Sequence, residues 1–259
     1  MENINLLYAL QPIAVIAIAS ALMVFWYRKR HFRLTVLVFS LAAYAAAIGL
    51  KYAVQIPTIG FIAPLGSYAL GIYYGLQTMF FEVGLAFLVA WFAIKYGELK
   101  ENDAEGYGSG LAFWENAGLL GILPLINYIT YYSILSSNTP LAQTLYDQLI
   151  AAAPQLFSTA PEALSLVALG ILERVSSIII HFAWGYLCFM AVLYRRKRLF
   201  LIALPMGFVD FFVPFAGSSY VIAEGVFLGI ALLSLIVAWS FTRELRENAN
   251  KQNIEPQAV

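Results

Sequence analysis

Long apolar runs separated by short polar segments dominate the pattern of this chain. Seven runs approach or exceed the roughly 18 apolar residues that a membrane-spanning helix needs. They cover approximately residues 6–27, 34–55, 66–94, 111–131, 163–194, 199–215 and 220–241. The sixth is short and is interrupted by Pro205 and Gly207. The pattern predicts an all-α, polytopic transmembrane helical bundle of about seven spans.

The composition supports this class and excludes a soluble domain of this length. Hydrophobic residues make up 61% of the 259 residues, and charged residues only 12%. Arg28, Lys29 and Arg30 follow the first apolar run, whereas a cleaved signal peptide has its basic residues in front, so we expect a retained first span. We expect residues 1–259 to form a single transmembrane domain of a multi-pass cell-membrane protein.

The basic residues predict how the chain crosses the membrane. Thirteen of the 15 Lys and Arg residues fall in the first, third and fifth connections and in the tail. Lys and Arg are retained on the cytoplasmic side, so the N-terminus is predicted outside, with residues 243–259 as a cytoplasmic tail. Retention fully explains the basic clusters. We therefore expect contacts with membrane lipids and no nucleic-acid partner, and the sequence does not indicate an oligomeric state.

One long connection, residues 133–161, lies on the predicted outer side. Leu141, Leu145 and Leu149 recur every four residues within it until Pro154 breaks the pattern. This spacing predicts an amphipathic helix at the outer surface. It serves either as a packed connecting helix, which we favour, or as a lid over a site.

Four charged or ionisable residues fall at a common depth. A helix rises about 1.5 Å per residue, and counting from the cytoplasmic anchors puts Glu82, Glu115, His181 and Asp210 roughly 15–21 Å inside. They lie on four different spans. Charged side chains near the centre of a bilayer are costly and mark functional sites, so this shared layer is the strongest functional signal in the sequence.

Other charged residues count out to the outer interface. Lys51, Arg174 and Glu224 lie about 27–31 Å from the cytoplasmic anchors, where long side chains reach water at modest cost. For Lys51 and Glu224 we expect interfacial anchoring or a mutual ion pair. Glu173 and Arg174 are expected to form a structural pair on the outer side.

The fifth span carries a stripe of polar and small residues. Glu173, Ser177, His181 and Gly185 recur every four residues and therefore share one helix face. The stripe extends from the outer pair to the central layer, where His181 lies.

The central layer contains groups suited to hydrolysis. Removal from water favours a protonated carboxyl and a nearby cation or metal favours the carboxylate, so one carboxylate can act as a general base near neutral pH. His181 can ligate a metal or donate a hydrogen bond to a developing oxyanion. Two hydrolytic mechanisms remain open, one that uses a divalent metal such as Zn²⁺ and one that uses no metal. No H-E-x-x-H motif is present, and the single cysteine, Cys188, excludes a disulfide and a cysteine-based metal cluster.

Four segments resemble a known superfamily, in its order. The stretch 110–116, "GLAFWEN", resembles the Gly-Phe-Ala-x-x-Glu-Asn segment of PrsW-type intramembrane proteases and the Gly-His-Gly-Gly-x-Glu segment of YhfC-type membrane proteins. The stretch 172–181, "LERVSSIIIH", resembles the Glu-Arg…His segment of the YhfC type. Residues 79–96 and 205–212 resemble two further site spans of this superfamily, which includes the type II CAAX prenyl proteases. The resemblance covers residues 79–213.

The resemblance implies a glutamate-dependent or metal-dependent intramembrane peptidase. Its catalytic or metal-binding residues would be Glu82, Glu115, His181 and Asp210, and the expected supporting residues are Glu173, Arg174, Asn116 and Ser177. The chain departs from the pattern in two places. Val83 replaces a second glutamate and no arginine or lysine follows at helical spacing, and Leu111 replaces a histidine or phenylalanine.

Two classes of function fit these observations. The first is an intramembrane endopeptidase that acts on a membrane protein or peptide. The second is a non-catalytic scaffold or a proton or solute transporter that uses the same buried polar layer. The sequence shows no inverted repeat of the kind found in many transporters.

Overall fold

The computed structural model describes residues 3–137, 139–218 and 220–252. Its α-helices are α1 (Leu10–Arg30), α2 (Thr35–Ile62), α3 (Ser67–Gln77), α4 (Gly84–Lys95), α5 (Ala104–Phe113), α6 (Leu123–Leu135), α7 (Pro140–Ala152), α8 (Ala160–Leu193), α9 (Lys197–Ala203) and α10 (Tyr220–Gln252). Two π-helical segments (Thr78–Val83 and Trp114–Ile122) and 3₁₀ segments (Leu6–Ala9, Ala63–Leu65, Glu101–Asp103, Pro154–Phe157 and Leu204–Ser218) join or extend them.

The described helices include seven that are long and apolar enough to cross a membrane, as predicted. They are Leu6–Arg30, Thr35–Leu65, Ser67–Lys95, Glu101–Leu135, Ala160–Leu193, Lys197–Phe215 and Tyr220–Glu247. The orientation and the single-domain organisation stay predictions. Part of the predicted tail, 243–259, belongs to α10, and residues 253–259 lie outside the described residues.

The fourth span starts ten residues before its predicted position. The added part contains small residues of low hydropathy, and all of Ala104–Ala112 is buried. These residues contact protein and not lipid, so their burial does not require the apolar character on which a hydropathy prediction depends.

The fifth span, α8, forms the centre of the bundle. Every residue from Ile180 to Leu193 is buried, and the helix packs against α4, α5, α9 and α10. A helix surrounded by protein is apolar on all faces, as a lipid-facing helix also is. The sequence pattern therefore identified α8 as a span without revealing its central position.

Glycines allow the close helix contacts that bring the site spans together. A Cβ atom at Gly108 would lie 2.6 Å from the Phe182 carbonyl oxygen, and one at Gly185 would lie 3.0 Å from the Gly108 Cα. A Cβ at Gly207 would lie 2.8 Å from the Met79 Cα. Small residues permit this backbone approach in membrane bundles. As a result, α5 lies against α8, and the sixth span lies against the third.

The connection 133–161 contains the predicted helix, α7. Leu149 is buried with Tyr128 and Ile4, and Leu145 packs on this cluster, whereas Leu141 is exposed. The Asn5 backbone N–H also donates to the Leu156 carbonyl oxygen at 2.8 Å. These contacts fit the packed connecting helix that the spacing favoured.

An ion-pair network ties the spans at the opposite end. Glu105 is fully buried and accepts hydrogen bonds from Arg30 Nε at 2.9 Å and Arg246 Nη1 at 2.8 Å. Asp103 pairs with Arg33 at 2.8 Å. The network fixes the first connection and α10 against the start of the fourth span, from which the Glu115-bearing segment extends.

Candidate functional site

Four spans carry the candidate residues Glu82, Glu115, His181 and Asp210, and three of them depart from α-helical geometry at the site. Glu82 lies in the π-helix Thr78–Val83, Glu115 in the π-helix Trp114–Ile122, and Asp210 in the 3₁₀ segment Leu204–Ser218. Such segments inside long helices often coincide with functional sites. In the fourth span, Pro124 has no backbone N–H and therefore cannot donate the α-helical hydrogen bond to the Leu120 carbonyl oxygen. This loss favours π-helical hydrogen bonding in the segment just before the proline.

Glu82, Glu115 and His181 converge at the centre of the bundle. His181 Nε2 lies 3.0 Å from Glu82 Oε2 and also contacts Glu115 Oε2. One potential ligand atom from each of the three residues lies within 4.8 Å of the other two. The depth count thus identified three residues that meet in space.

The imidazole of His181 is held by its own helix. Nδ1 lies 2.9 Å from the Ser177 carbonyl oxygen and 3.3 Å from Ser177 Oγ. A carbonyl oxygen only accepts hydrogen bonds, so Nδ1 carries the proton in this contact. This arrangement directs Nε2, which is free to offer a lone pair in neutral histidine, toward the two glutamates.

Lys51 is a site residue that the sequence analysis missed. Its Nζ contacts Glu82 Oε1 and lies 3.2 Å from Asp210 Oδ2. The expected interfacial position, and the alternative pairing with Glu224, are wrong. The second span continues to Leu65, ten residues beyond the predicted end at Gln55, and Lys51 therefore lies near its middle.

Asp210 belongs to the site but not to the converging group of three. It accepts hydrogen bonds from Thr78 Oγ1 and from Lys51. Its described contacts do not include His181, and they connect it to the centre through Lys51 and Glu82.

The outer pair reaches further inward than expected. Arg174 pairs with Glu173, and its Nη1 also lies 3.9 Å from Glu115 Oε1. Ser177 Oγ lies 3.4 Å from the same Glu115 oxygen. Asn116 is fully buried, and its described hydrogen bond is to Ala112 of its own span, at 3.0 Å. Arg174 and Ser177 therefore approach Glu115, as supporting residues would. The described hydrogen bond of Asn116 stays within its own span and does not reach Glu82, Glu115 or His181.

A cavity of about 110 Å³ adjoins the centre, and we call it the site cavity. Glu115, His181 and Asp210 line it, whereas Glu82 is not among its lining residues. Its remaining lining residues are Glu173, Arg174, Ser177, Ile180, Val209, Phe212, Val213, Tyr220, Ala223, Glu224 and Phe227. The cavity combines acidic groups with apolar side chains, and the sixth and seventh spans contribute both kinds.

Glu224 was expected at the outer interface, and the structure buries it. It is only 4% exposed, and its Oε2 makes no hydrogen bond among the described residues. The side chain lines the site cavity. The sequence offered no signal for this, because the direction in which a residue faces depends on how α10 packs.

The donor set fits a divalent metal ion. Two carboxylates and an imidazole are ligands that Zn²⁺ accepts, and Glu82 Oε2 and Glu115 Oε2 both face His181 Nε2. Charge supports the same conclusion. The carboxyl groups of Glu82, Glu115, Glu173 and Asp210 outnumber the lysine and arginine side chains beside them, Lys51 and Arg174. A bound cation would reduce the repulsion among these acidic groups.

Comparison with known protein families identifies the family of this chain. The sequence model of the YhfC intramembrane metalloprotease family matches residues 13–237. The chain belongs to the YhfC family. The match extends beyond the segment 79–213 that carried the resemblance, and it includes part of the first and the seventh span. A search of curated proteins and a search of solved structures find no match.

Membership of the YhfC family agrees with the seven membrane-capable helices, and the protein is a multi-pass membrane protein. The family is described as intramembrane metalloproteases, which is the class that the four segments indicated. The buried glutamates and histidine of this YhfC chain are able to form a metal site.

The two departures from the expected motifs are packing positions in this YhfC chain. Val83 is fully buried, and its Cγ2 would lie 3.0 Å from a Cβ at Gly207. Leu111 packs against Gly185 in the same manner. The cation beside Glu82 comes from another span, as Lys51, and not from the helix that carries the glutamate.

Proposed function

We propose that this protein is an intramembrane endopeptidase that hydrolyses peptide bonds in or near the membrane. The observation that carries the proposal is the convergence of Glu82, Glu115 and His181, from three spans, within 4.8 Å at a buried site. Family membership supports the reaction class.

Glu82 and His181 would hold the metal, and Glu115 would lie beside it as the group that acts on water. A divalent cation such as Zn²⁺ supplies a Lewis acid that polarises a peptide carbonyl oxygen and favours the ionisation of water. Asp210 is excluded from this ligand set in our proposal, because its carboxylate is engaged by Lys51 and Thr78.

Glu115 is the proposed general base. It lines the site cavity, in which substrate and water would meet, whereas Glu82 does not. A carboxylate in hydrogen-bond reach of water can accept its proton and deliver it to the leaving amine. Ser177 and Arg174 approach the other carboxylate oxygen, Oε1, and would favour its charged form and fix its orientation.

Lys51 and His181 position the remaining groups. Lys51 engages one oxygen of Glu82, which leaves the second oxygen directed at the centre. The Ser177 carbonyl fixes the His181 ring through Nδ1. Such supporting hydrogen bonds orient ligands and tune their basicity.

The proposed substrate is an apolar segment of a membrane protein or a membrane peptide. Phe212, Val213 and Phe227 form an apolar wall of the site cavity between the sixth and seventh spans. Lipid is as apolar as such a wall, so close packing and not removal from water would hold an apolar segment there.

Transport is disfavoured by the packing on the predicted cytoplasmic side of the site. Leu187, Cys188, Phe189 and Met190 of α8 are fully buried in the apolar core. Over this stretch, therefore, α8 offers no charged side chain that would continue the polar layer of the site toward that end of the bundle. A non-catalytic scaffold would not need Glu82, Glu115 and His181 to converge, so their convergence favours the peptidase over the scaffold.

Two measurements test the proposal in purified protein in lipid nanodiscs. The first is bound zinc after loading and dialysis, by mass spectrometry. We expect about one ion per chain for the wild type and for Asp210→Asn, and loss of the ion in His181→Ala and Glu82→Gln. Equal zinc in wild type and His181→Ala would contradict the ligand assignment.

The second measurement is the set of new peptide termini in membranes that express the wild type or Glu115→Gln. We expect termini within or beside spans of other membrane proteins that depend on Glu115. A fully folded, zinc-loaded wild type that generates no such termini would favour the non-catalytic scaffold.

A further inference from the structure

A second cavity lies next to the site cavity, toward the end of the bundle where α7 packs. Its volume is about 490 Å³, and it lies between α1, the end of the fourth span and α8. We call it the outer cavity. Tyr8, Gln11 and Asn127 give its lining hydrogen-bonding groups, and at about 30 Å³ per molecule it has room for many waters.

Glu173 and Arg174 line both cavities. The Arg174 guanidinium pairs with Glu173 and reaches within 3.9 Å of Glu115 Oε1. Its side chain is 16% exposed. The pair therefore forms the partition between the outer cavity and the site, and His181 lies seven residues beyond Arg174, or about 10 Å along the helix.

The sequence keeps the outer cavity open. A Cβ at Gly170 would lie 2.5 Å from Gln11 Nε2, so the glycine makes room for this polar side chain beside α8. Helix α1 packs closely on Trp114–Ile122 and contacts α6 only sparsely beyond it. Polar side chains that face such a gap without water would carry a desolvation cost, and hydration of the cavity removes this cost.

The opposite wall of the site is mixed in character. Phe212 and Val213 of the sixth span and Phe227 of the seventh are apolar, whereas Tyr220 and Glu224 of the seventh span also line the site cavity. The apolar stretch suits an apolar peptide segment. On the outer side, by contrast, polar groups extend from Gln11 and Asn127 to the Glu173–Arg174 pair.

We propose that water reaches the site through the outer cavity and past the Glu173–Arg174 pair, on a route separate from substrate entry between the sixth and seventh spans. The route rests on the proposed function only in its purpose, which is to supply the water consumed by hydrolysis. Whether water passes along it is measured without hydrolysis or metal.

Cysteine accessibility tests the route. The only native cysteine, Cys188, is fully buried, so the wild type serves as an unreactive background. Asn127→Cys and Ser177→Cys probe the outer cavity and the far side of the partition. In nanodiscs, we expect a small charged methanethiosulfonate reagent to modify both, Asn127→Cys at least tenfold faster.

A matched pair of tryptophans identifies the path taken. Leu120 lines the outer cavity, whereas Leu123 is 48% exposed on the surface of the same span. We expect Leu120→Trp to slow the modification of Ser177→Cys at least tenfold and Leu123→Trp to change it less than twofold. Arg174→Ala, which removes the partition, is expected to speed it several-fold.

Three results would overturn the proposal. In the first, Leu120→Trp leaves the modification of Ser177→Cys unchanged and Val213→Trp blocks it, so water would enter between the sixth and seventh spans. The others are an unreactive Asn127→Cys, and an unreactive Ser177→Cys in a protein whose Asn127→Cys reacts. Loss of metal binding or hydrolysis in any variant would bear on the proposed function and not on this route.

Discussion

Replacement of Lys51 by methionine tests whether this buried cation holds the carboxylates of the site. Methionine keeps the length of the side chain and removes the charge, which leaves Glu82 and Asp210 without their common partner. At 3.2 Å and an effective dielectric constant of 20, the attraction between Lys51 and Asp210 alone is about 5 kcal/mol. Loss of one partner of a buried pair costs about 3–5 kcal/mol in total.

The expected result is a lower unfolding temperature. For a chain of this size, about 1 kcal/mol corresponds to roughly 2–4 °C, so Lys51→Met should melt about 10 °C below the wild type. A thiol-reactive dye that becomes fluorescent on reaction reports unfolding, because Cys188 is the only cysteine and is fully buried. Lys95→Met is the control, since Lys95 is exposed and contacts the Trp91 ring at 4.5 Å, a contact worth about 1 kcal/mol.

A second substitution distinguishes electrostatics from packing. In the Lys51→Met background, Asp210→Asn removes one of the two uncompensated carboxylates and should restore several degrees, although it lowers the midpoint in the wild type. Two outcomes would refute the reasoning. One is a Lys51→Met midpoint within 2 °C of the wild type, and the other is a double variant that melts below the single one.

Two further predictions concern the contacts that position the site. Gly185→Leu should separate α5 from α8 and lower the zinc stoichiometry, because even a Cβ there would lie 2.7 Å from a Leu111 methyl carbon. The control Gly225→Leu should bind zinc like the wild type, since nothing lies within 4 Å of its Cβ position. Equal zinc in the two variants would contradict this prediction. Glu105→Gln should lower the free energy of unfolding by about 3 kcal/mol, because the buried carboxylate pairs with two arginines. The control Glu247→Gln alters an exposed pair and should leave the melting temperature unchanged. Equal melting temperatures of the two variants would count against the prediction.

The central layer was predictable from the sequence because charge in an apolar environment is costly. Counting along helices is enough to place Glu82, Glu115 and His181 at one depth, and these three converge. The count failed for Lys51 because hydropathy ended the second span at Gln55, ten residues before its end in the structure. A long side chain near the middle of a longer helix reaches the same layer.

The sequence by itself determined the class of the protein, its seven spans and the common layer of Glu82, Glu115 and His181, because these depend on hydropathy and on a fixed rise per residue. Only the tertiary structure decided which charges meet. The π-helical segments that carry Glu82 and Glu115, the pairing of Lys51 with Asp210, and the burial of Glu224 all depend on how the helices are rotated and how closely they approach. Apolar helices look alike in sequence whether they face lipid or protein, so the sequence does not encode these rotations in a readable pattern.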